Sequence, residues 1–310
     1  MTQSNLLKYI ELFEIESLID VALKEDIGAG DLTTIGALYD PQSEKLSDSS
    51  GTGELLAKQK GIMAGSQIFE MVFKKIDSSC RIEFLCEDGH EFRDGETLAE
   101  FKGSLSCALT AERVALNFLG HLSGIATLTA VCVGKVSHSK IKIRDTRKTT
   151  PGLRVLEKYA VTCGGGCNHR KSLDSMALIK ENHIDAAGSI SKAISNLREF
   201  IRSQAFKGRF AGDVEKTLAE IEVEVSTEEH IREALSQGAK NLLIDNQNPS
   251  RLREMVSLAR SIAPEVTIEA SGNISLTNID QYALSGVDYL SIGSLTHSAP
   301  VSDFSFLISR

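Results

Sequence analysis

The side chains able to do chemistry gather at or near the ends of short apolar runs in the second half of the chain. Arg147 and Lys148 follow the run at 141–146, and Lys180 closes the run at 177–180. Glu224 stands in 221–225, and Asp245 closes 242–245. Ser271, Gly272 and Asn273 follow 267–270, while Gly293, Ser294 and then His297 end the last run, which starts at Tyr289. His169 and Arg170 lie between the first two runs. Grouped cations recognise a polyanion, and arginine forks fit carboxylates and phosphates in bidentate fashion. Two carboxylates on consecutive runs suit Mg²⁺, which takes oxygen ligands, keeps several waters and bridges to substrate phosphates. Small residues at 271–273 and 293–294 leave backbone N–H groups free to cradle a phosphate. Each feature alone also has a plain structural reading. Together, one per run, they point to metal-assisted chemistry on a phosphate-bearing substrate.

The elements that must position these groups follow from the rhythm. Apolar runs alternate with helix-forming segments at 191–200, 227–237 and 250–262, the pattern of a parallel sheet covered by helices. In a (β/α) barrel every strand opens its C-terminal end onto one face, so the reactive groups converge there. Only six strands are evident, which predicts an α/β fold with an incomplete, TIM-like (β/α) barrel. No G-x-G-x-x-G follows a strand, and the glycines at 164–166 lack the following pattern of a dinucleotide site. The first third mixes signals: a helix at 18–23 with Ser17 as N-cap, strands at 32–34, 54–58 and 81–85, and a surface loop at 41–53. A helix at 110–129 has Val114, Phe118, Leu122 and Ile125 on its apolar stripe and Arg113, Asn117 and His121 beside it.

Composition sets bounds. The chain has 310 residues, 42% hydrophobic and 25% charged, enough for one large or two medium domains with real cores. A formal net charge of −8 argues against broad binding to nucleic acid or anionic membranes. Residues 140–180 nevertheless hold ten Lys or Arg against three acids. That surplus reads equally as a solvated basic face or as a pocket for a small polyanion. The N-terminal segment reads as an amphipathic helix without the basic head and cleavage site of a signal peptide, and no stretch approaches the ~20 apolar residues of a membrane span. The six scattered cysteines fit a reducing cytoplasm, and Cys163 and Cys167 lack the second pair that structural zinc needs.

The motifs also carry a family resemblance. DTRKTTPGLR at 145–154, EKYAV at 157–161, GGG at 164–166, NHR at 168–170 and LIKENH at 178–183 resemble the central signature of quinolinate phosphoribosyltransferase, also called decarboxylating nicotinate-nucleotide pyrophosphorylase. The flanking segments ED at 25–26, GDLTT at 30–34, ER at 112–113, LN at 116–117, VEV at 223–225, IDN at 244–246, EASG at 269–272 and SIGSLTH at 291–297 follow in the family's order. The resemblance covers the chain from about residue 17 onward. It departs at Glu181, where a shorter acid is expected, and in longer segments at 205–219 and 41–53, expected as surface loops.

The resemblance implies phosphoribosyl transfer from phosphoribosyl pyrophosphate to quinolinate, releasing pyrophosphate and CO₂ and leaving nicotinate mononucleotide. It implies an N-terminal α+β sandwich domain at 1–121, joined by a C-terminal tail at 298–310, and a barrel at 122–297. It also implies a homodimer with shared active sites, and leaves further assembly open. Its quinolinate positions map onto Arg113 (from the partner), Arg147, His169, Arg170 and Lys180. Its phosphoribosyl and Mg²⁺ positions map onto Lys148, Glu224, Asp245, Ser271, Gly272, Gly293 and His297, with Asn273 and Ser294 beside them. Two other readings stand: a related phosphoribosyltransferase or phosphorylase acting on another anionic heterocycle, and a non-catalytic binding protein on an enzyme fold.

Overall fold

The six apolar runs form the strands Lys142–Arg144, Leu178–Ile179, Glu222–Val225, Asn241–Asp245, Thr267–Ser271 and Tyr289–Ser291. All pairings among them are parallel. Their spatial order is first, sixth, fifth, fourth, third, second. The first strand therefore pairs with the last, as in a barrel, but no pairing joins the first to the second among the described residues. The result is an incomplete (β/α) barrel.

Register explains its interior. Strand neighbours in register share a face, and successive residues alternate faces. Val223, Leu242, Ile268, Ile244, Ala270, Leu290 and Ile143 fall on one face. Glu222, Glu224, Asp245, Glu269, Ser271, Tyr289 and Arg144 fall on the other. The first face is wholly apolar and buried, as helix-covered sheet should be. The second carries the charge. The intervening helices begin on side-chain caps: Ser189 accepts from the Lys192 N–H, Thr227 from that of His230 and Asn248 from that of Arg251.

The structure, a computed structural model, describes residues 12–210 and 212–309. The chain divides into two compact units, one holding Val131–Lys148 and Gly166–Ser294, with the barrel strands. The other takes in the chain as far as Ala130, Thr149–Gly165 and the stretch from Leu295 onward. Its antiparallel sheet has the order Phe304–Ser309, Ser50–Ala57, Thr97–Ser104, Arg81–Phe84. Against it lies helix Ser66–Ile76, whose Phe69 and Phe73 rings sit 6.1 and 5.3 Å from Phe306. In a chain without tryptophan, these phenylalanines are among the large buried side chains of that α+β core.

Several sequence expectations change in this unit. Residues 32–34 are not a strand but the start of helix Leu32–Ala37, because the Asp31 side chain accepts from the Thr34 N–H at 2.9 Å and caps it. Ser17 does not cap a helix; it lies within Leu12–Ile27. The reading of the first eleven residues as helix lies outside the described residues. Residues 41–53 are not one loop, since Lys45–Leu46 pairs with Tyr39–Asp40 and the next strand begins at Ser50. In the barrel unit, the expected loop at 205–219 holds helices Gln204–Arg209 and Val214–Ala219.

The long helix runs Leu105–Val136 and, with a window of mean hydropathy 1.5, is long and apolar enough to cross a membrane by length and composition. That corrects the sequence reading. More than half of the window is buried in the protein, and its small residues admit close packing. His121 on this helix lies 2.9 Å from the fully buried Glu157, whose other oxygen accepts the Thr150 N–H at 3.1 Å. Arg154 donates to Thr149 Oγ1 at 3.0 Å, so residues just after Lys148 are anchored twice.

The C-terminal stretch crosses this helix at Gly120 and Gly124. Ser302 N–H donates to Gly120 O at 2.9 Å, and a Cβ on Gly124 would lie 2.0 Å from Pro300 O. Replacing Gly by Ala gains ~1 kcal/mol of helix propensity, but overpacking against backbone costs about 1–3 kcal/mol. Gly124→Ala is therefore expected to lower the urea midpoint, and a midpoint at or above that of the unaltered chain would refute the close-packing account.

Candidate active site

The C-terminal ends of the barrel strands collect most of the residues singled out in the sequence. Arg147 and Lys148 follow the first strand, Lys180 the second, and Glu224 lies in the third. Asp245 ends the fourth, Ser271, Gly272 and Asn273 close the fifth, and Gly293 and Ser294 follow the sixth. His169 and Arg170 join this set because Cys167 forms a parallel bridge with Arg144 at the open sheet edge. Arg113 and His297 belong to the other unit, where both are exposed.

The guanidinium groups show what the rim lacks. Burial, and then the neighbouring Arg147, pull the Arg170 pKa below its ordinary value. Arg170 Nη1 donates to Met176 O at 3.0 Å, while the Arg147 Nε is buried without an acceptor. Two guanidinium groups near each other, one with an unused buried donor, call for an anion. Lys148 is exposed, and the half-buried Lys180 forms an ion pair with Glu224 through Nζ and Oε2. Glu181 begins the next helix and faces solvent, so its extra methylene meets no packed neighbour.

Asp245 is held on both oxygens. Ser271 Oγ donates to Oδ1 at 2.5 Å and Asn246 Nδ2 to Oδ2 at 2.7 Å. Each oxygen keeps a further lone pair for a cation or a hydroxyl group. With Glu224 on the adjoining strand, the donors are all hard oxygen, which fits Mg²⁺. Cys167 is unsuited to zinc: burial raises its thiol pKa, and Sγ donates to Ile143 O at 3.3 Å.

Below the rim lies a charged cluster that the sequence reading missed. Arg144 Nη1 contacts Glu269 Oε2 at 2.5 Å, and its guanidinium lies 3.5 Å from the Tyr289 ring centroid. His169 Nε2 is 3.2 Å from Glu222 and 3.5 Å from Glu269, whose side chains are 5% and 1% exposed. The His169 Nδ1 accepts the Arg170 N–H at 2.7 Å, and the His169 N–H donates to the buried Asp145 at 2.8 Å. Both ring nitrogens are thus engaged within the protein, at a residue for which the resemblance implies substrate contact. Burial first, and then Glu222, raise the Glu269 pKa. Possible ligand atoms of His169, Glu222 and Glu269 all lie within 4.8 Å of one another, yet Arg144 already pairs with Glu269 there. The signal was the alternation E-V-E-V at 222–225 and T-I-E-A-S at 267–271, which puts charge on one face.

Comparison with known proteins agrees with this geometry. The family description "Quinolinate phosphoribosyl transferase, N-terminal domain" matches residues 31–123, and "Quinolinate phosphoribosyl transferase, C-terminal domain" matches residues 125–307. A Bacillus subtilis protein named probable nicotinate-nucleotide pyrophosphorylase [carboxylating] is 39% identical over 292 residues, covering 94% of this chain and 92% of its own. The crystal structure of NadC from Streptococcus pyogenes is 37% identical with a TM-score of 0.83, covering 97% of this chain and 98% of its own. The nicotinate-nucleotide pyrophosphorylase structure from Francisella tularensis has a TM-score of 0.84 at 33% identity, covering 100% of both chains.

The buried cluster yields a pH-dependent expectation. A carboxyl whose pKa is raised on folding holds a proton that the unfolded chain has released, so stability falls as pH rises above the ordinary carboxylate range. Arg144 offsets that loss by pairing with Glu269. Arg144→Met should cost ~3–5 kcal/mol, as breaking a buried pair does, with a larger loss at about pH 8 than at about pH 5, where Glu269 can take up a proton. Urea melts at the two pH values measure this. Equal losses would mean that Arg144 does not bear the Glu269 charge.

Proposed function

The chain belongs to the quinolinate phosphoribosyltransferase family, and from that premise we propose which of its residues do the family's work. The enzyme transfers the phosphoribosyl group of phosphoribosyl pyrophosphate to quinolinate with loss of CO₂, giving nicotinate mononucleotide and pyrophosphate in de novo NAD biosynthesis. The observation that carries the site assignment is the neighbouring pair Arg147 and Arg170, the latter lowered in pKa by burial and by the former. Among the described residues neither has a carboxylate within ion-pairing distance. A ring bearing two adjacent carboxylates supplies the missing charge. Lys180 and His169 complete this end of the site, His169 by fixing the Arg170 backbone through Nδ1.

At the other end, Lys148, Glu224 and Asp245 take the phosphoribosyl pyrophosphate, and the role of His297 is carried over from the family resemblance alone. Ser271, Gly272, Asn273, Gly293 and Ser294 offer hydroxyl and backbone N–H donors to its phosphate. Glu224 and Asp245 would hold Mg²⁺, directly or through water or substrate, and the ion would neutralise charge on the pyrophosphate. As the bond from ribose C1 to pyrophosphate breaks, positive charge builds on the ribose and negative charge on the leaving group. The exposed Lys148 ammonium meets the latter. The quinolinate nitrogen forms the new bond to C1, and the ring becomes a pyridinium. When the bond from C2 to its carboxylate breaks, CO₂ departs and the bond's electron pair stays on C2, stabilised by the adjacent cationic nitrogen. C2 then takes a proton, for which Lys180, ion-paired with Glu224, and bound water are the candidate donors.

We further propose a homodimer in which Arg113 of each subunit serves the other's barrel; its exposed place on a helix of the other unit supports this. The six cysteines are free, in keeping with the cytoplasmic location that we assign.

Two measurements test these assignments. A 2-carboxylate left out of a site built for it leaves buried cations unpaired. Mg²⁺-dependent kcat/KM should therefore be about 10²–10⁴-fold higher for quinolinate than for nicotinate, and comparable values would remove the dicarboxylate assignment. Arg113→Ala and Lys148→Ala homodimers should each be nearly inactive. Random subunit exchange between them should recover about one quarter of full activity, since each hybrid has one intact site. Inactive hybrids, verified by mass spectrometry, would place Arg113 in its own subunit's site or in none.

A further inference from the structure

The fourth and fifth barrel strands end in two left-handed residues that are not glycine: Asn246 at φ 54° and Asn273 at φ 57°. Such conformations disfavour any Cβ, and they persist where surrounding contacts fix them. Glycine would be the easier residue for the backbone at 246. The asparagine side chain must contribute something that glycine lacks.

Its contacts show what that is. The left-handed turn swings the Asn246 amide back onto the preceding residue, where Nδ2 donates to Asp245 Oδ2 at 2.7 Å. A carboxylate only accepts, so the donor end of the amide faces Asp245, and the amide oxygen accepts from Asn273 Nδ2 at 3.3 Å. Backbone pairing continues beneath, with Asn246 N–H donating to Ser271 O at 2.9 Å, and Asn278 Nδ2 holds Asn273 O at 2.8 Å. Gly272 closes the arrangement. Its own φ is +87°, and a Cβ there would stand 2.0 Å from Asn246 Oδ1 and 3.0 Å from Asn246 N. The glycine thus makes room for the amide.

We propose that Asn246 is a positioning residue for the phosphoribosyl pyrophosphate half of the reaction. Seated in the space left by Gly272, its amide sets the plane of the Asp245 carboxylate, with Ser271 holding the other oxygen. The proposal rests on the reading that Asp245 organises Mg²⁺ and the phosphoribosyl group. It adds that the orientation of Asp245 is imposed by its neighbour.

Three variants test it. Asn246→Gly keeps the left-handed backbone and removes the donor. Asn246→Asp keeps the shape and puts a second carboxylate against the first. Asp245→Asn is the control for the underlying reading. Asn246→Gly should raise the KM for phosphoribosyl pyrophosphate by about tenfold, as loss of one hydrogen bond to a charged group would, and leave the KM for quinolinate and the melting temperature unchanged. Calorimetric titration with phosphoribosyl pyrophosphate and Mg²⁺ should show a similar weakening, and Asn246→Asp should weaken binding further. A purely structural role would instead lower the melting temperature and affect both substrates together. If Asp245→Asn loses phosphoribosyl pyrophosphate binding while both Asn246 variants keep it, the positioning role falls and the Asp245 assignment stands. If Asp245→Asn also binds normally, the Asp245 assignment falls, and the proposal with it. Should Asn246→Gly fail to fold, the KM split of Asn246→Asp decides, and equal changes for both substrates would overturn the proposal.

Discussion

Charge buried inside a barrel must be neutralised where it stands, because taking ions out of water costs several kcal/mol each even after relaxation. Glu222 and Glu269 share the inward face of neighbouring parts of the sheet, and their repulsion helps to keep the Glu269 pKa high. Arg144 and His169 answer them from the open sheet edge, Arg144 also lying over the Tyr289 ring. The chain beyond the first strand depends on that arrangement. His169 is held through Nε2 by the carboxylates and through its own N–H by Asp145, and its Nδ1 in turn fixes the Arg170 N–H. The Arg170 backbone is thereby fixed, while its Nη1 donates to Met176 O.

The rim then divides according to what each charge already has. Among the described residues, Arg147 and Arg170 have no carboxylate within ion-pairing distance, whereas Lys180 has Glu224, and Asp245 has two hydrogen-bond donors. In the proposed assignment, the two arginines take the doubly anionic ring, and the oriented carboxylates take a metal and a sugar. This division suits the proposed reaction, in which negative charge develops on pyrophosphate and then on C2 beside the cationic nitrogen. Groups preset for the final charge distribution need not reorganise as it develops.

The other unit rests on different physics. Its sheet and phenylalanine core are ordinary apolar packing, and its long helix uses glycine to let a backbone segment cross at Gly120 and Gly124. Its buried polar contacts are specific. Glu157, entirely buried, reaches both His121 and the Thr150 N–H, tying down the chain just after Arg147 and Lys148. The apolar length that would suit a membrane serves a buried helix of a folded core.

Periodicity alone located the six parallel strands, their helices and the residues at the strand ends, because alternation of face and of element is a local property of sequence. The long central signature identified the family for the same reason. Local competition was harder to judge: Leu32-Thr33-Thr34 has strand propensity, but the Asp31 cap made it helix. What sequence could not decide was which charges meet. Glu222 and Glu269 are 47 positions apart and Arg144 is 125 from Glu269, and only register and the pairing of the first strand with the last bring them together. Asn246 likewise looked like an ordinary residue after Asp245 until its φ of 54° and the space at Gly272 gave its amide a direction. Residue type sets what a group can do. The distance to its partners, and hence its charge state and orientation, is set by tertiary contacts, because electrostatic and hydrogen-bond energies depend on separations in space rather than along the chain.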